Sequence, residues 1–83
     1  MKRPTMWMAE LETTNFSFRA FGVDQDLALK ALRRGWAVHR RQYGAGRVVP
    51  FDRATGGGEQ SCGSVEFFPI NMGAAYRDGE PLR

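Results

Sequence analysis

The sequence has few of the residues on which disulfide, metal and catalytic sites depend. Its 83 residues include one cysteine, Cys62, and one histidine, His39. A single cysteine cannot close an intramolecular disulfide, so the chain is not a disulfide-stapled secreted scaffold. A metal site would need further cysteine or histidine ligands. We therefore expect neither a metal nor another cofactor.

Long apolar segments are also missing. No run approaches the roughly 20 residues of a membrane-spanning helix. The basic start, residues 1–4, is not followed by the apolar stretch of about 7–15 residues that a secretory signal contains. We therefore expect a cytoplasmic protein with no membrane partner. At this length, residues 1–83 are expected to form a single small domain that buries about 60% of its unfolded surface.

Charge is distributed unevenly along the chain. The net charge is +3, yet residues 30–53 contain seven cations and Asp52 as their one anion. The remaining residues hold five cations and eight anions. Ten of the twelve cations are arginine, which makes planar two-pronged contacts with phosphate and carboxylate groups. A basic middle segment of this kind favours an anionic partner.

Two segments with alternating polarity open the chain. Residues 5–12 and 15–21 both alternate between apolar and polar side chains, which is typical of half-buried strands. Residues 13–15 between them have turn-forming side chains. The sequence therefore predicts a β-hairpin, whose apolar face would consist of Trp7, Ala9, Leu11, Phe16, Phe18 and Ala20.

A helix is predicted from Gln25 to about Tyr43. Asp24 is a favourable N-cap residue, and Gly44 is a typical helix terminator. Gly35 lowers the helix propensity by roughly 1 kcal/mol, so we expect it to mark close packing onto the sheet. At 100° per residue, one face of this helix carries Ala28, Leu29, Leu32, Gly35, Trp36 and His39.

The segment after the helix is rich in glycine. Residues 44–47 and 55–64 are predicted to be flexible loops. Between them, residues 47–51 are expected to form a short edge strand, because Pro50 disfavours a central one.

The C-terminal part returns to a β pattern. Residues 64–70 are predicted to form a strand. Asp78-Gly79 is a tight-turn signal between residues 74–77 and 80–82. Residues 77–83 are expected to form a loose tail.

These elements predict an α+β fold of order β-β-α-β, with the edge strand as a further short element. A small antiparallel sheet with one amphipathic helix packed on one face would bury every apolar stripe. We expect Trp7, Phe16, Phe18, Leu32 and Trp36 to share its core. The β-β-α opening, with an Asp-capped helix after a glycine, resembles the start of small HicB-type antitoxin folds, without a diagnostic motif beside it.

The basic side of the helix gives the first functional hypothesis. Its cations could lie along the phosphates of a nucleic acid or bind another anionic partner. A solvated helix face is the structural alternative, and cations in the last turn also complement the helix dipole. The predicted track consists of Lys30, Arg33, Arg34, Arg40, Arg41 and Arg47, with Arg53 extending it.

The predicted sheet gives the second functional hypothesis. Met6 and Met8 lie on the strand face opposite Trp7, so a helix on the Trp7 face leaves them uncovered. Exposed methionines are common at interaction surfaces. This interpretation describes an inhibitor, an antitoxin-like protein or a phage anti-defence protein that acts through its sheet face or an edge strand. A homodimer through the same face is also expected.

Catalysis has little support in the sequence. His39 lies on the apolar helix face, and no spacing points to a nucleophile or an orienting carboxylate beside it. Cys62 lies in a glycine-rich loop, and the glycines lack the Lys-Ser/Thr of a phosphate-binding loop. We therefore predict a non-enzymatic binding protein of bacterial or phage type, with nucleic-acid binding as the leading function.

Overall fold

A three-stranded antiparallel sheet with a long helix on one face forms the body of the protein. The computed structural model describes residues 6–58, 61–71, 75–78 and 80–82. The predicted α+β class, with its amphipathic helix on one sheet face, is confirmed. Its elements are β1 (Met6–Glu12), β2 (Ser17–Gly22), α1 (Gln25–Tyr43), α2 (Phe51–Ala54), β3 (Val65–Ile70), β4 (Ala75–Arg77) and β5 (Glu80–Leu82).

Strand β1 is the centre of the sheet, whose strand order is β2-β1-β3. Leu11 lies opposite Phe18 on β2 and Val65 on β3, and Ala9 lies opposite Ala20 and Phe67. These residues lie on one face of the three strands, because side chains alternate between the two faces of a sheet, and this face packs against α1. Among the described residues, no helix packs on the other face.

Local signals determine both ends of α1. The backbone N–H of Leu27 donates to Asp24 Oδ1 at 2.8 Å, which makes Asp24 the N-cap. The helix ends before Gly44, whose φ is 95°. The prediction that Gly35 marks close packing is wrong, because a Cβ there would meet nothing within 4 Å. Gly22 has that role instead, since a Cβ on it would collide with the backbone of Ala28.

The core lies between the sheet, α1 and the short helix α2. Trp7 and Phe18 pack against its edge as expected. Phe16 was expected inside but is 40% exposed. It precedes β2 in a turn, where its backbone N–H donates to Thr13 Oγ1. The buried residues are Ala9, Leu11, Ala28, Leu32, Trp36, Phe51 and Ala54.

The edge strand expected at residues 47–51 is not formed. Side chains from α1 take the carbonyl groups that a strand would use. Trp36 Nε1 donates to the Val49 oxygen at 2.9 Å, and Arg40 Nε donates to the Val48 oxygen at 2.8 Å. Pro50 then begins α2, with a φ of −59° that suits the start of a helix.

The loop after α2 returns to one point on that helix. The Ala54 carbonyl oxygen accepts hydrogen bonds from the Cys62 backbone N–H at 2.7 Å and from Ser61 Oγ at 3.0 Å. These bonds bring residues 61–63 back to the end of β1. The flexibility predicted for residues 44–47 and 55–64 stays a prediction, and Glu59 and Gln60 lie outside the described residues.

Strands β4 and β5 form a separate two-stranded hairpin. Arg77 lies opposite Glu80, and Asp78 has a left-handed φ of 53° in the connection between them. This geometry agrees with a tight turn at that point. Gly79, the second residue of the predicted turn, lies outside the described residues, as do Thr5, Ala74 and Arg83. The looseness of residues 77–83 stays a prediction.

Candidate functional site

A narrow stripe of cations runs along the outer face of α1. Lys30, Arg34 and Arg41 lie within about 40° of one another around the helix, at 100° per residue. All three are exposed, and Lys30 is about 16 Å from Arg41 at 1.5 Å per residue. In the part of the chain that the structure describes, none of their side chains has a hydrogen-bond or ion-pair partner. Their charges are therefore available to an external anion.

Arg33 is placed differently from the stripe. Its guanidinium forms an ion pair with Asp52 at 2.9 Å and lies 4.8 Å from the centre of the Phe51 ring. These contacts join α1 to α2 and give Arg33 an anionic partner at the surface. One arginine of the predicted phosphate track, Arg33, thus contacts α2 instead of being free for a phosphate.

Arg40 also makes contacts inside the protein. Besides its bond to Val48, its terminal nitrogen donates to the Ala45 carbonyl oxygen at 3.0 Å. Arg40 is half-buried and fastens the loop that follows α1. Arg47 lies in that loop and is exposed, and Arg53 is exposed on α2. Of the six predicted track residues, Lys30, Arg34, Arg41 and Arg47 remain without an internal partner among the described residues.

The uncovered sheet face has an apolar half. Met8 on β1 lies between Phe21 on β2 and Phe68 on β3, and Met6 lies opposite Ile70. Met6 and Met8 are half-buried by these neighbours, while Phe21 is 52% exposed. Met8, Phe21, Phe68 and Ile70, together with nearby polar groups, line a shallow depression of about 520 Å³. The sequence predicted both methionines on this face. The other apolar residues beside them are Phe21 on β2 and Phe68 and Ile70 on β3.

The other half of this sheet face is acidic. Glu10, Glu12 and Glu66 lie together, and Arg19 pairs with Glu10 at 2.9 Å. Asp78 of the hairpin lines the same depression. The protein is therefore polarised, with positive charge on the outer face of α1 and negative charge on the open sheet face. An anionic partner is attracted to the first surface and repelled by the second.

A pocket that the sequence did not reveal lies beside the C-terminal end of α1. It has a volume of about 370 Å³. The ring of His39 contacts four other rings, of which Phe16 and Trp36 line the pocket with it. The centroid distances lie between 4.8 and 5.3 Å for Phe16, Phe18, Trp36 and Tyr43. The pocket is lined by Thr13, Asn15, Phe16, Trp36, His39, Arg47, Val48, Val49 and Cys62.

This pocket brings His39 and Cys62 to one place, although they are far apart in sequence. His39 is packed among aromatic rings, as expected for a structural imidazole, and Cys62 is exposed on the loop. Within the described ranges, no group of three or more His, Cys, Asp or Glu side chains is arranged to hold a metal ion. In the same ranges, no helix has the length and apolar character needed to cross a membrane.

Comparisons with protein-family models, curated proteins and solved structures found no match. The functional interpretation therefore depends on the three surfaces described above: the basic stripe, the open sheet face and the pocket.

Proposed function

We propose that the protein is a non-enzymatic cytoplasmic module that binds nucleic acid through the outer face of α1. The observation that carries this proposal is that the side chains of Lys30, Arg34 and Arg41 lie on one exposed stripe without a polar partner among the described residues, with Arg47 in the loop after the helix. Arg33 and Arg40 already have partners within the protein, so a phosphate contact would add little binding energy there. We therefore leave both out of the contact surface.

The expected binding is electrostatic and weakly selective for sequence. Phosphate contacts position a protein on nucleic acid but carry no sequence information. Lys30, Arg34 and Arg41 are spaced along one line of the helix surface, which suits a charged backbone better than a compact anion. The acidic sheet face on the other side orients the protein, so that α1 meets the phosphates.

Charge reversals on the stripe test this proposal. We expect Arg41→Glu to weaken binding of a labelled duplex by about tenfold at roughly 50 mM salt, because each phosphate contact releases about 0.9 counterion. The double variant Arg34→Glu/Arg41→Glu is expected to abolish it. Arg77→Glu on the hairpin changes the net charge as much as Arg41→Glu and is expected to bind like wild type. Fluorescence anisotropy measures all four proteins, and equal losses for Arg41→Glu and Arg77→Glu would contradict the proposal.

A second candidate function is protein binding by the open sheet face. The observation that favours it is the apolar group around Met8, whose neighbour Phe21 is half-exposed. Uncovered apolar patches on small proteins mark interaction surfaces. A second copy of the chain is the simplest partner, since pairing these faces would shield the methionines and phenylalanines of both.

Sedimentation at several concentrations tests self-association. Wild type is expected to shift toward a dimer as concentration rises, and Phe21→Lys is expected to remain monomeric. Val38→Lys is the control, because Val38 is a similarly exposed apolar residue on the outer side of α1. A wild-type protein that stays monomeric at its highest soluble concentration would contradict self-association.

A further inference from the structure

The pocket beside the C-terminal end of α1 has a rigid aromatic interior. Trp36 forms its floor and is held by the hydrogen bond from its indole to the Val49 oxygen. Phe16 forms a wall, and the Thr13 hydroxyl fixes the turn that carries it. These three hydrogen bonds position the Trp36 ring and the backbone of Phe16 before any ligand arrives. Such preorganisation lowers the entropy cost of binding.

Phe16 presents part of its ring to solvent. It is 40% exposed, although its centroid lies 4.9 Å from His39 and 5.4 Å from Tyr43. Tyr43 is also half-exposed. These rings offer aromatic surface that the protein core does not cover. A flat ligand ring that stacked against them would bury this surface and gain the energy typical of aromatic pairs.

Two polar residues line the same pocket and are available to a ligand. Arg47 and Asn15 are both exposed, and among the described residues neither side chain has a polar partner. Arg47 provides a cation for a phosphate group, and the amide of Asn15 provides both a donor and an acceptor for the edge of a base. The aromatic surface, Asn15 and Arg47 can thus contact the face of a base, the edge of that base and a phosphate of the same nucleotide.

We propose that this pocket binds an unpaired base of a nucleic-acid strand. This inference rests on the proposed function, because the stripe on α1 supplies most of the attraction for the strand. Arg41 lies in the last turn of the helix and Arg47 follows shortly after it. A helix is about 10–12 Å across, so a flexible strand can pass from the outer face to the pocket within a few nucleotides.

The proposal predicts a preference for single strands. A base in a duplex is stacked and paired, so it cannot enter the pocket without being extruded. Stacking on a protein ring strengthens binding by about tenfold per base, and every base has a flat face. The pocket is therefore expected to add affinity for unpaired strands with little preference among bases.

Anisotropy with an intact single strand and with an abasic strand of equal length is the test. The two strands carry the same phosphates, so their difference measures the bases alone. Wild type is expected to bind the intact strand about tenfold more tightly than the abasic one. Phe16→Ala is expected to lose this difference while keeping its affinity for duplex. Phe16→Leu keeps most of the apolar volume but has no aromatic ring, so it is also expected to bind the intact and abasic strands equally. Circular dichroism checks that both variants are folded.

Nuclear magnetic resonance locates the bound base independently of the variants. The indole N–H signal of Trp36 is expected to shift with the intact strand and to stay in place with duplex. The indole signal of Trp7, at the far end of the core, is expected to remain unchanged with both. Equal affinity for intact and abasic strands, or an unmoved Trp36 signal, would overturn the pocket proposal. Duplex binding that still depends on Arg34 and Arg41 would then leave the proposed function standing, whereas no binding to any strand would overturn both.

Discussion

Truncation of Trp36 is expected to remove a large part of the stability of the protein. This residue is 3% exposed, and its ring lies 5.2 Å from that of Phe18 and 6.3 Å from that of Phe51. It thus joins β2, α1 and α2. Tryptophan-to-alanine changes at such sites cost about 3–5 kcal/mol. A chain of this length has a free energy of unfolding of roughly 4–12 kcal/mol. Trp36→Ala is therefore expected to lose between about a quarter and all of the free energy of unfolding.

The variant Trp36→Phe separates the hydrogen bond from the packing. It keeps an aromatic ring in the core but leaves the half-buried Val49 carbonyl without the indole donor. An unsatisfied group of this kind costs about 1–3 kcal/mol. We therefore expect the free energy of unfolding to fall in the order wild type, Trp36→Phe, Trp36→Ala.

Urea unfolding followed by far-ultraviolet circular dichroism measures this order without relying on tryptophan fluorescence. For a slope of about 1 kcal/mol per molar urea, the midpoint falls by about 1–3 M in Trp36→Phe and further in Trp36→Ala. Val38→Ala, on the exposed side of the same helix, is expected to change stability by less than about 0.5 kcal/mol. A Trp36→Ala protein with the wild-type midpoint would refute the packing of helix on sheet described here.

Three further substitutions test local features of the fold by the same urea measurement. Gly35→Ala is expected to raise stability by about 1 kcal/mol, because the added Cβ meets no atom within 4 Å in a helix interior. Gly22→Ala is expected to lower it, since its Cβ would collide with the Ala28 backbone. Asp24→Ala is expected to cost about 1 kcal/mol through loss of the N-cap. A stabilising Gly22→Ala, or neutral results for Gly35→Ala and Asp24→Ala, would contradict these assignments.

The elements with local signals could be predicted from the sequence. Asp24 and Gly44 delimit α1 because a cap and a terminator act within one helical turn of themselves. The alternation in β1 and β2 determined which face meets the helix. Residues 47–51 were misjudged because their conformation depends on Trp36 and Arg40, which take backbone carbonyl groups across a gap in sequence. The β-branched residues Val48 and Val49 before Pro50 favour a strand locally, and nothing in this segment indicates the contacts with α1.

For the basic stripe, the sequence predicted which cations lie on α1 but not which of them are paired inside the protein. The sequence showed that cations cluster on one side of α1. It did not show that Arg33 would pair with Asp52, or that Arg40 would fasten the following loop, because both contacts need α1 and the segment after it to be packed together. The aromatic pocket was missed for the same reason, since its walls come from the β1–β2 turn, α1 and the loops around Val49 and Cys62.

The salt dependence of duplex binding tests the central claim most directly. With Lys30, Arg34, Arg41 and Arg47 in contact with phosphates, the logarithm of affinity is expected to fall with the logarithm of salt concentration at a slope of about −3.6. The double variant Arg34→Glu/Arg41→Glu is expected to bind too weakly to measure or to show a slope no steeper than about −1.8. Absence of wild-type binding at roughly 50 mM salt, or binding with a slope near zero, would contradict a phosphate-binding stripe on α1.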